Sequence, residues 1–286
     1  MDFKDLTCFT AIVEEGTISG AAQRLHIAQP ALSLRLKTLE EDMGLTLLER
    51  GARSVKPTEG GRLFYRRALR MLELARSTRQ ELADVKGGAA GTLRLGTVSS
   101  SAPALLSGRI NRFHARYPQV RFELHEGNTF ELIELLHTGI IDLAIVRTPF
   151  KADGADRLLL KPEPMAAAVP ASITGPDRVP VQWLKGKPLV FYRRFEGLIR
   201  AVCQQEGFEP EAFCVNDDAR TCMMWAQAGL GVAIAPLSAA KAMAGEQLRL
   251  LILEHPDLYT SIAAIWKKDG YRSAAAQRFL EIFAAE

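Results

Sequence analysis

The stretch Ile18–Glu40, ISGAAQRLHIAQPALSLRLKTLE, limits the possible folds of this chain more than any other. It holds two short apolar-periodic segments joined by a tight connection at His26-Ile27-Ala28, and Gln29 and Pro30 open the second segment. That is the sequence form of a helix-turn-helix. In the second segment Leu32, Leu36 and Leu39 recur at i, i+4 and i+7 and face inward, which turns Pro30, Ser33, Leu34 and Lys37 to the opposite side. A helix of about 16 Å with that outward face is the right size to lie in a major groove.

The flanking residues complete the unit. Asp2 to Glu15 carries Phe3, Leu6, Phe9, Ala11, Ile12 and Val13 at near-helical period, so a first helix is predicted beneath the other two, ended by Gly16. Thr17 can cap the next helix, and Ala21 and Ala22 are small enough to let a crossing helix approach closely. Leu47–Arg50 and Ser54–Pro57 read as two short strands around a Gly51-Ala52-Arg53 turn, a wing with Arg53 at its tip. Thr58 then caps a long helix in which Phe64, Ala68, Met71, Ala75, Thr78, Leu82 and Val85 follow alternating steps of four and three. Six of these seven are apolar, the pattern of a coiled-coil seam, so the helix is read as a dimerisation element; a helix packed on its own domain is the competing reading.

The net charge of +3 over 286 residues says little, but its distribution says more. Between Arg50 and Arg79 nine basic residues face two acidic ones, Glu59 and Glu73. Beside a helix-turn-helix, such an excess reads as a phosphate-contacting surface rather than a merely solvated helix. The length suggests roughly two domains. With 48% hydrophobic and 24% charged residues, the chain has the composition of an ordinary globular protein. No apolar run approaches the ~18–20 residues of a membrane span, and MDFKDLTCF begins with charges, so a cytoplasmic protein without membrane contact is expected. Cys8, Cys203, Cys214 and Cys222 form no CxxC pair and have no histidine cluster of zinc spacing; they are read as reduced core thiols. Cys203 and Cys214 are near enough in sequence for a redox pair, although their surroundings do not match a peroxide sensor.

After a Gly-rich hinge, Gly87–Gly91, strand-like and helix-like segments alternate. Strands are predicted at Thr92–Val98, Val120–Glu126, Asp142–Val146, Met165–Val169, Pro188–Phe191, Phe213–Val215 and Val232–Ala235. Helices are predicted at Ala102–Tyr117, Phe130–Thr138, about 197–206, 219–228 and 273–285. Alternation of this kind argues an α/β fold with a mostly parallel sheet, which takes ligands at the carboxyl ends of its strands. Such clefts host many enzymes, but no GxSxG elbow, P-loop, GxGxxG or HExxH is present, and the five histidines are scattered. No catalytic residue, metal ligand or cofactor is assigned.

The N-terminal residues resemble those of the LysR-type transcriptional regulators, and the resemblance runs along the whole chain. It is carried by Ala21-Ala22-Gln23-Arg24-Leu25, Gln29-Pro30-Ala31-Leu32-Ser33, Leu39-Glu40, Gly44, Leu47, Glu49-Arg50 and Pro57-Thr58-Glu59-Gly60-Gly61. It continues through Gly91–Gly96, Phe113, Tyr117-Pro118, Gly139, Asp142–Ile145, Ala228–Val232 and Pro236. The resemblance implies a winged helix-turn-helix over residues 1–58 and a linker helix with hinge over 59–88. It also implies an effector-binding domain over 89–286, built like a periplasmic binding protein. Two chain crossovers would put about 91–160 and 267–286 in subdomain I and about 161–266 in subdomain II. It further implies a homotetramer on an interrupted inverted repeat of double-stranded DNA, with a small effector in the cleft. A transporter's solute-binding protein would resemble the effector domain alone; the N-terminal unit argues against it. The sequence departs from the pattern at Ala28, where a capping Ser or Thr is usual, at Leu34, where a polar or basic residue is frequent, and at Leu48, a common Phe.

Within that frame Gln29 can offer a bidentate amide to adenine, Pro30 and Ala31 can touch a thymine methyl, and an exposed Leu34 is either idle or packs on one. Ser33, Arg35, Lys37, Arg50 and Arg53 suit phosphate. In the effector domain Ser99, Ser100 and Ser101 follow the first strand, and Asn128 and Thr129 open the helix after the second. Both places offer hydroxyls and helix N-terminal N–H groups to an anion. Arg147 follows the third strand and can hold a carboxylate bidentately, with Phe195, flanked by Arg193 and Arg194, as the opposite wall; ordinary helix capping by the serines and a structural ion pair at Arg147 are the competing readings. Similar regulators of aromatic catabolism hold a small carboxylate at the matching positions, and that effector class is expected here.

Overall fold

The computed structural model describes residues 1–51, 54–85, 91–102 and 108–285, with backbone alone at 50, 80 and 83–85. They form two compact units: Met1–Gly87 with His137–Ile140, and Gly88–Leu136 with Ile141–Glu286.

In the first unit α1 (Phe3–Glu15) starts with reciprocal caps: the Asp5 N–H donates to Asp2 at 2.8 Å and the Asp2 N–H to Asp5 at 2.6 Å. It ends at Gly16 in the left-handed region, and Thr17 caps α2 (Ile18–Leu25). α3 (Gln29–Met43) follows the left-handed turn residue His26 and has no side-chain cap at Ala28. Leu32, Leu36 and Leu39 are buried with Phe9, Ile12, Ala21 and Ala22, so the i, i+4, i+7 stripe forms the core of this unit. Glu40 then accepts the N–H groups of Leu47 and Leu48 at 2.7 and 3.1 Å, which fixes the start of a two-stranded wing, β1 (Leu48–Arg50) and β2 (Val55–Pro57). The wing's expected tip, Arg53, lies outside the described residues.

Thr58 caps α4 (Glu59–Val85), which spans about 40 Å. Its seam divides. Ala68 is fully buried and Phe64 meets Phe9 edge-on at 4.9 Å, because α1 crosses this part of α4 and takes both into its own core. Farther along, Met71, Leu74 and Leu82 stay exposed, and the first two border an apolar groove with Met1 and Phe3.

The second unit contains two mixed sheets. The first runs β4 (Val120–Glu126), β3 (Gly91–Thr97), β5 (Leu143–Arg147), β14 (Ile262–Lys267), β6 (Ala155–Leu159). The second runs β10 (Glu211–Asn216), β9 (Pro188–Tyr192), β11 (Val232–Pro236), β7 (Glu163–Pro170), β12 (Leu248–Glu254), β8 (Arg178–Pro180), with β13 (Tyr259–Thr260) also on β7. The expectation of mostly parallel sheet is corrected: β14 is antiparallel to β5 and β6, and β7 is antiparallel to β11 and β12. These are the strands by which the chain passes from one sheet to the other and returns. The return comes earlier than expected, since Ile262–Lys267 pairs with the first sheet rather than the second. The expectation lacked β6, β8, β12, β13, β14 and α9 (Leu237–Met243); β14 reads IAAIWK, with alanines packed on both sides rather than an alternating pattern.

α5 (Arg109–Arg116) and α10 (Ala274–Ala284) bring Phe113, Phe279 and Phe283 into the first core. Of the helix expected from Ala102, residues 103–107 lie outside the described residues, as does most of the hinge. α7 (Arg193–Gln205), α8 (Ala219–Gln227) and α9 enclose the second core. α6 (Thr129–Thr138) follows β4. Among the described residues no helix is long and apolar enough to cross a membrane.

A Cβ at Gly61 would lie 1.9 Å from the Leu47 carbonyl oxygen, whereas one at Gly60 would make only ordinary contacts at 3.7 and 3.9 Å. Gly61→Ala is therefore expected to lower stability by about 1–3 kcal/mol and Gly60→Ala to leave it level or raised, read by thermal unfolding.

Candidate functional site

The helix-turn-helix leaves one face of α3 open. Gln29, Pro30, Ala31 and Lys37 are exposed, Leu34 is 65% exposed, and Ser33 is half-buried beside them. Lys37 lies 3.7 Å from Glu41, an exposed pair weak enough to yield to a phosphate. Arg35 sits differently: its Nη1 is 2.5 Å from Asp5 and 3.1 Å from Asp2, so its charge ties α3 to the start of α1. Any phosphate contact by Arg35 competes with two carboxylates. The side chain of Arg50, like Arg53, is outside the described residues. Because Ala28 offers no oxygen, the first-turn N–H groups of α3 meet no side-chain acceptor from that position. They remain suited to an incoming anion.

In the second unit Ser99–Ser101, Asn128–Thr129 and Arg147 follow the carboxyl ends of β3, β4 and β5, and Phe195 lies on the helix after β9, but their roles divide. Arg147 is 0% exposed. Its Nε and Nη2 donate to the Ser100 carbonyl at 3.1 and 2.9 Å, Nη1 to Glu163 at 2.5 Å and Nη2 to the Ser238 hydroxyl at 2.8 Å. Ser238 in turn donates its N–H and hydroxyl to Glu163 at 2.6 and 2.7 Å. Burial pulls the Arg147 pKa down and the Glu163 carboxylate opposes that shift. The guanidinium is already held by its own chain in the structural ion pair, as a strut between the two sheets.

Ser99, Ser100 and Ser101 are all buried. Ser99 accepts the Ala219 N–H at 3.1 Å, while the hydroxyls of Ser100 and Ser101 have no hydrogen-bond partner among the described residues. Asn128 accepts the N–H groups of Phe130 and Glu131 at 3.0 and 3.1 Å, which is a helix cap, and Thr129 accepts Nη1 of Arg194 at 2.5 Å. Phe195 is 0% exposed within the second core, which corrects its placement as a cleft wall. Successive helical residues are about 100° apart, so when Phe195 points inward its neighbour Arg194 points into the cleft.

A cavity of about 450 Å³ opens there, between Asn128, Thr129, Phe130, Phe150, Tyr192 and Arg194. Phe130 is 87% exposed at its edge. The aromatic residues Phe130, Phe150 and Tyr192 were missed in the sequence; the available signal was the Pro149-Phe150-Lys151 run directly after a buried strand. Cys203 and Cys214 are free thiols. Burial pushes Cys203 up to about 11 and Cys222 to about 12, so both stay protonated and weakly reactive near neutrality.

Residues 86–286 match the LysR substrate binding domain and residues 3–62 the bacterial regulatory helix-turn-helix of the lysR family. The chain is 28% identical to the HTH-type transcriptional regulator BsdA of Bacillus subtilis (strain 168), over 99% of this chain and all of that protein. It is 30% identical to the regulator BudR of Raoultella terrigena over the same shares. Among solved structures it superposes on CbnR, a LysR family transcriptional regulator, with a TM-score of 0.77 and 25% identity over the whole of both chains. On full-length CbnR complexed with its target DNA the TM-score is 0.75 at 25% identity, covering 99% of this chain and 98% of that one.

Arg147→Ala removes the charge that faces the partly buried Glu163 carboxylate, leaving only Ser238 on it, and is expected to cost about 3–5 kcal/mol in chemical denaturation. Replacing both partners, Arg147→Met with Glu163→Leu, should recover most of that loss.

Proposed function

The chain belongs to the LysR family of transcriptional regulators, not to the enzymes that share α/β clefts, and we propose that it reads an interrupted inverted repeat in double-stranded DNA under the control of a small carboxylate. Residues 1–58 are the DNA-binding domain, 59–88 the linker, and 89–286 the effector domain, with the chain returning to subdomain I at β14. The exposed face of α3 carries the DNA reading: Gln29 sits on it with Pro30, Ala31 and Leu34, all solvent-facing at a helix start that fits the major groove. Gln29 reads adenine, while the three apolar residues meet thymine methyls. Ser33, Lys37, Arg50 and Arg53 hold phosphates and set the register, and Arg35 chiefly holds α3 in place.

Two copies pair through the exposed apolar groove of α4, where Met71 and Leu74 need cover, and two such pairs make the tetramer. The half-sites then lie about one helical turn or more apart. Acting on chromosomal DNA, the protein works in the cytoplasm. The effector is a small organic acid with an aromatic or similarly flat apolar body. The cavity's aromatic walls and its cations, Arg193, Arg194 and Lys151, favour that class. Ser100 and Ser101 supply spare hydroxyls deeper in the cleft.

Fluorescence anisotropy with DNA from upstream of the protein's own gene, against random duplex, tests the reading. Preference for the upstream DNA is expected, and equal affinity for both would overturn it. Gln29→Ala should narrow the gap between the two DNAs. Arg53→Ala and Lys37→Ala should weaken both and each lower the salt slope by about 1.

A further inference from the structure

A fully buried guanidinium, Arg147, and a half-buried one, Arg194, meet at the cleft, and among the described residues only the first has a counter-charge. Arg147 is matched by Glu163 at 2.5 Å. Arg194 reaches across from the second subdomain to three neutral oxygens of the first: the Thr129 hydroxyl at 2.5 Å, the Pro149 carbonyl at 3.1 Å and the Arg147 carbonyl. Among the described residues no carboxylate lies within ion-pair distance of it; the nearby Asp217 is held by Arg193 at 2.6 Å. Its Nε is buried without a partner among the described residues, and the guanidinium stands 5.4 Å from the centre of the Phe195 ring. A cation taken partly out of water without a counterion is costly, and desolvation pulls the Arg194 pKa down accordingly. The cavity of about 450 Å³ opens beside this group, with Phe130, Ile133, Phe150 and Tyr192 as apolar walls.

The geometry points to Arg194 as the residue that takes the effector's carboxylate, and as the latch that holds the two subdomains together before the effector arrives. The inference rests on the carboxylate reading above and assigns it to one side chain. A carboxylate offers charge-assisted, bidentate bonds where the present partners offer neutral ones, so it competes for the fork that now grips Thr129 and the end of β5. Binding and release of the latch then become one event, and the coupling between them is reciprocal. An apolar body fits the aromatic walls, which selects an aryl or arylalkyl monocarboxylate over a small polar acid.

The test uses the full-length protein with benzoate and 3-phenylpropanoate as probes. Calorimetry is expected to show binding to the wild type and a loss of about 10- to 100-fold in Arg194→Gln and Arg194→Ala. Arg194→Lys, which keeps the charge but not the fork, should fall between. Hydrogen exchange without any probe is expected to speed up in Arg194→Gln at residues 128–131 and 147–151, with both cores unchanged; Gln preserves polarity if Ala compromises folding. Probe binding that survives Arg194→Gln within twofold, or exchange identical to wild type at those segments, overturns the assignment to Arg194 and leaves the carboxylate reading standing. Failure of both probes to bind the wild type overturns the carboxylate reading together with this one.

Discussion

A single fully buried cation, Arg147, fixes how the second unit is put together. It leaves the end of β5 in one sheet, binds the turn after β3 through the Ser100 carbonyl, and reaches Glu163 at the first residue of the strand that enters the other sheet. Ser238 at the start of α9 closes the circuit through the same carboxylate. A charge in that position tolerates little movement, because any shift that lengthens the contact with Glu163 exposes the full desolvation penalty of both groups. The crossover between subdomains is therefore stiff at its base, whereas farther out the cleft is bridged by Arg194 on neutral acceptors and by the exposed Arg220–Glu126 pair at 3.0 Å. Stiffness near the crossing strands and weaker bonds toward the mouth are the arrangement a hinged cleft requires.

The first unit was largely legible from sequence because its signals are local. Leu32, Leu36 and Leu39 declare a helix face within eleven residues of Gln29, and Gly16, Thr17, Gly44 and Thr58 mark the ends where the backbone needs them. The α4 seam was only half legible: the heptad pattern says that a stripe is apolar, not what covers it, and α1 supplies the cover for Phe64 and Ala68. In the second unit most helices and most of the parallel strands could be read, but α9, the edge strand β8 and the direction of the crossing strands could not. β7 and β14 are short apolar runs whose partners lie far away in sequence, Ala167 opposite Ile234 and Ala264 opposite Ile145.

The site shows the same limit at the level of single residues. Ser99, Thr129 and Arg147 stand at strand and helix ends, yet which of them stays available to a ligand depends on Glu163, Ser238 and Ala219, distant in sequence. Phe195 and Arg194 are adjacent in the chain and differ by one step of helical rotation, enough to exchange a core residue for a cleft residue. No motif records that rotation; the packing of α7 on its sheet does.

The bare start of α3 has a thermodynamic consequence for the fold itself. With alanine at position 28, the helix forgoes the oxygen that Ser or Thr would supply, a deficit of about 0.5–2 kcal/mol carried by the free protein. Whatever acceptor later settles against those first-turn N–H groups restores part of that deficit, so docking also anneals the element that docks. The melting temperature of this small unit then becomes a reporter of occupancy, rising with the concentration of whatever it holds.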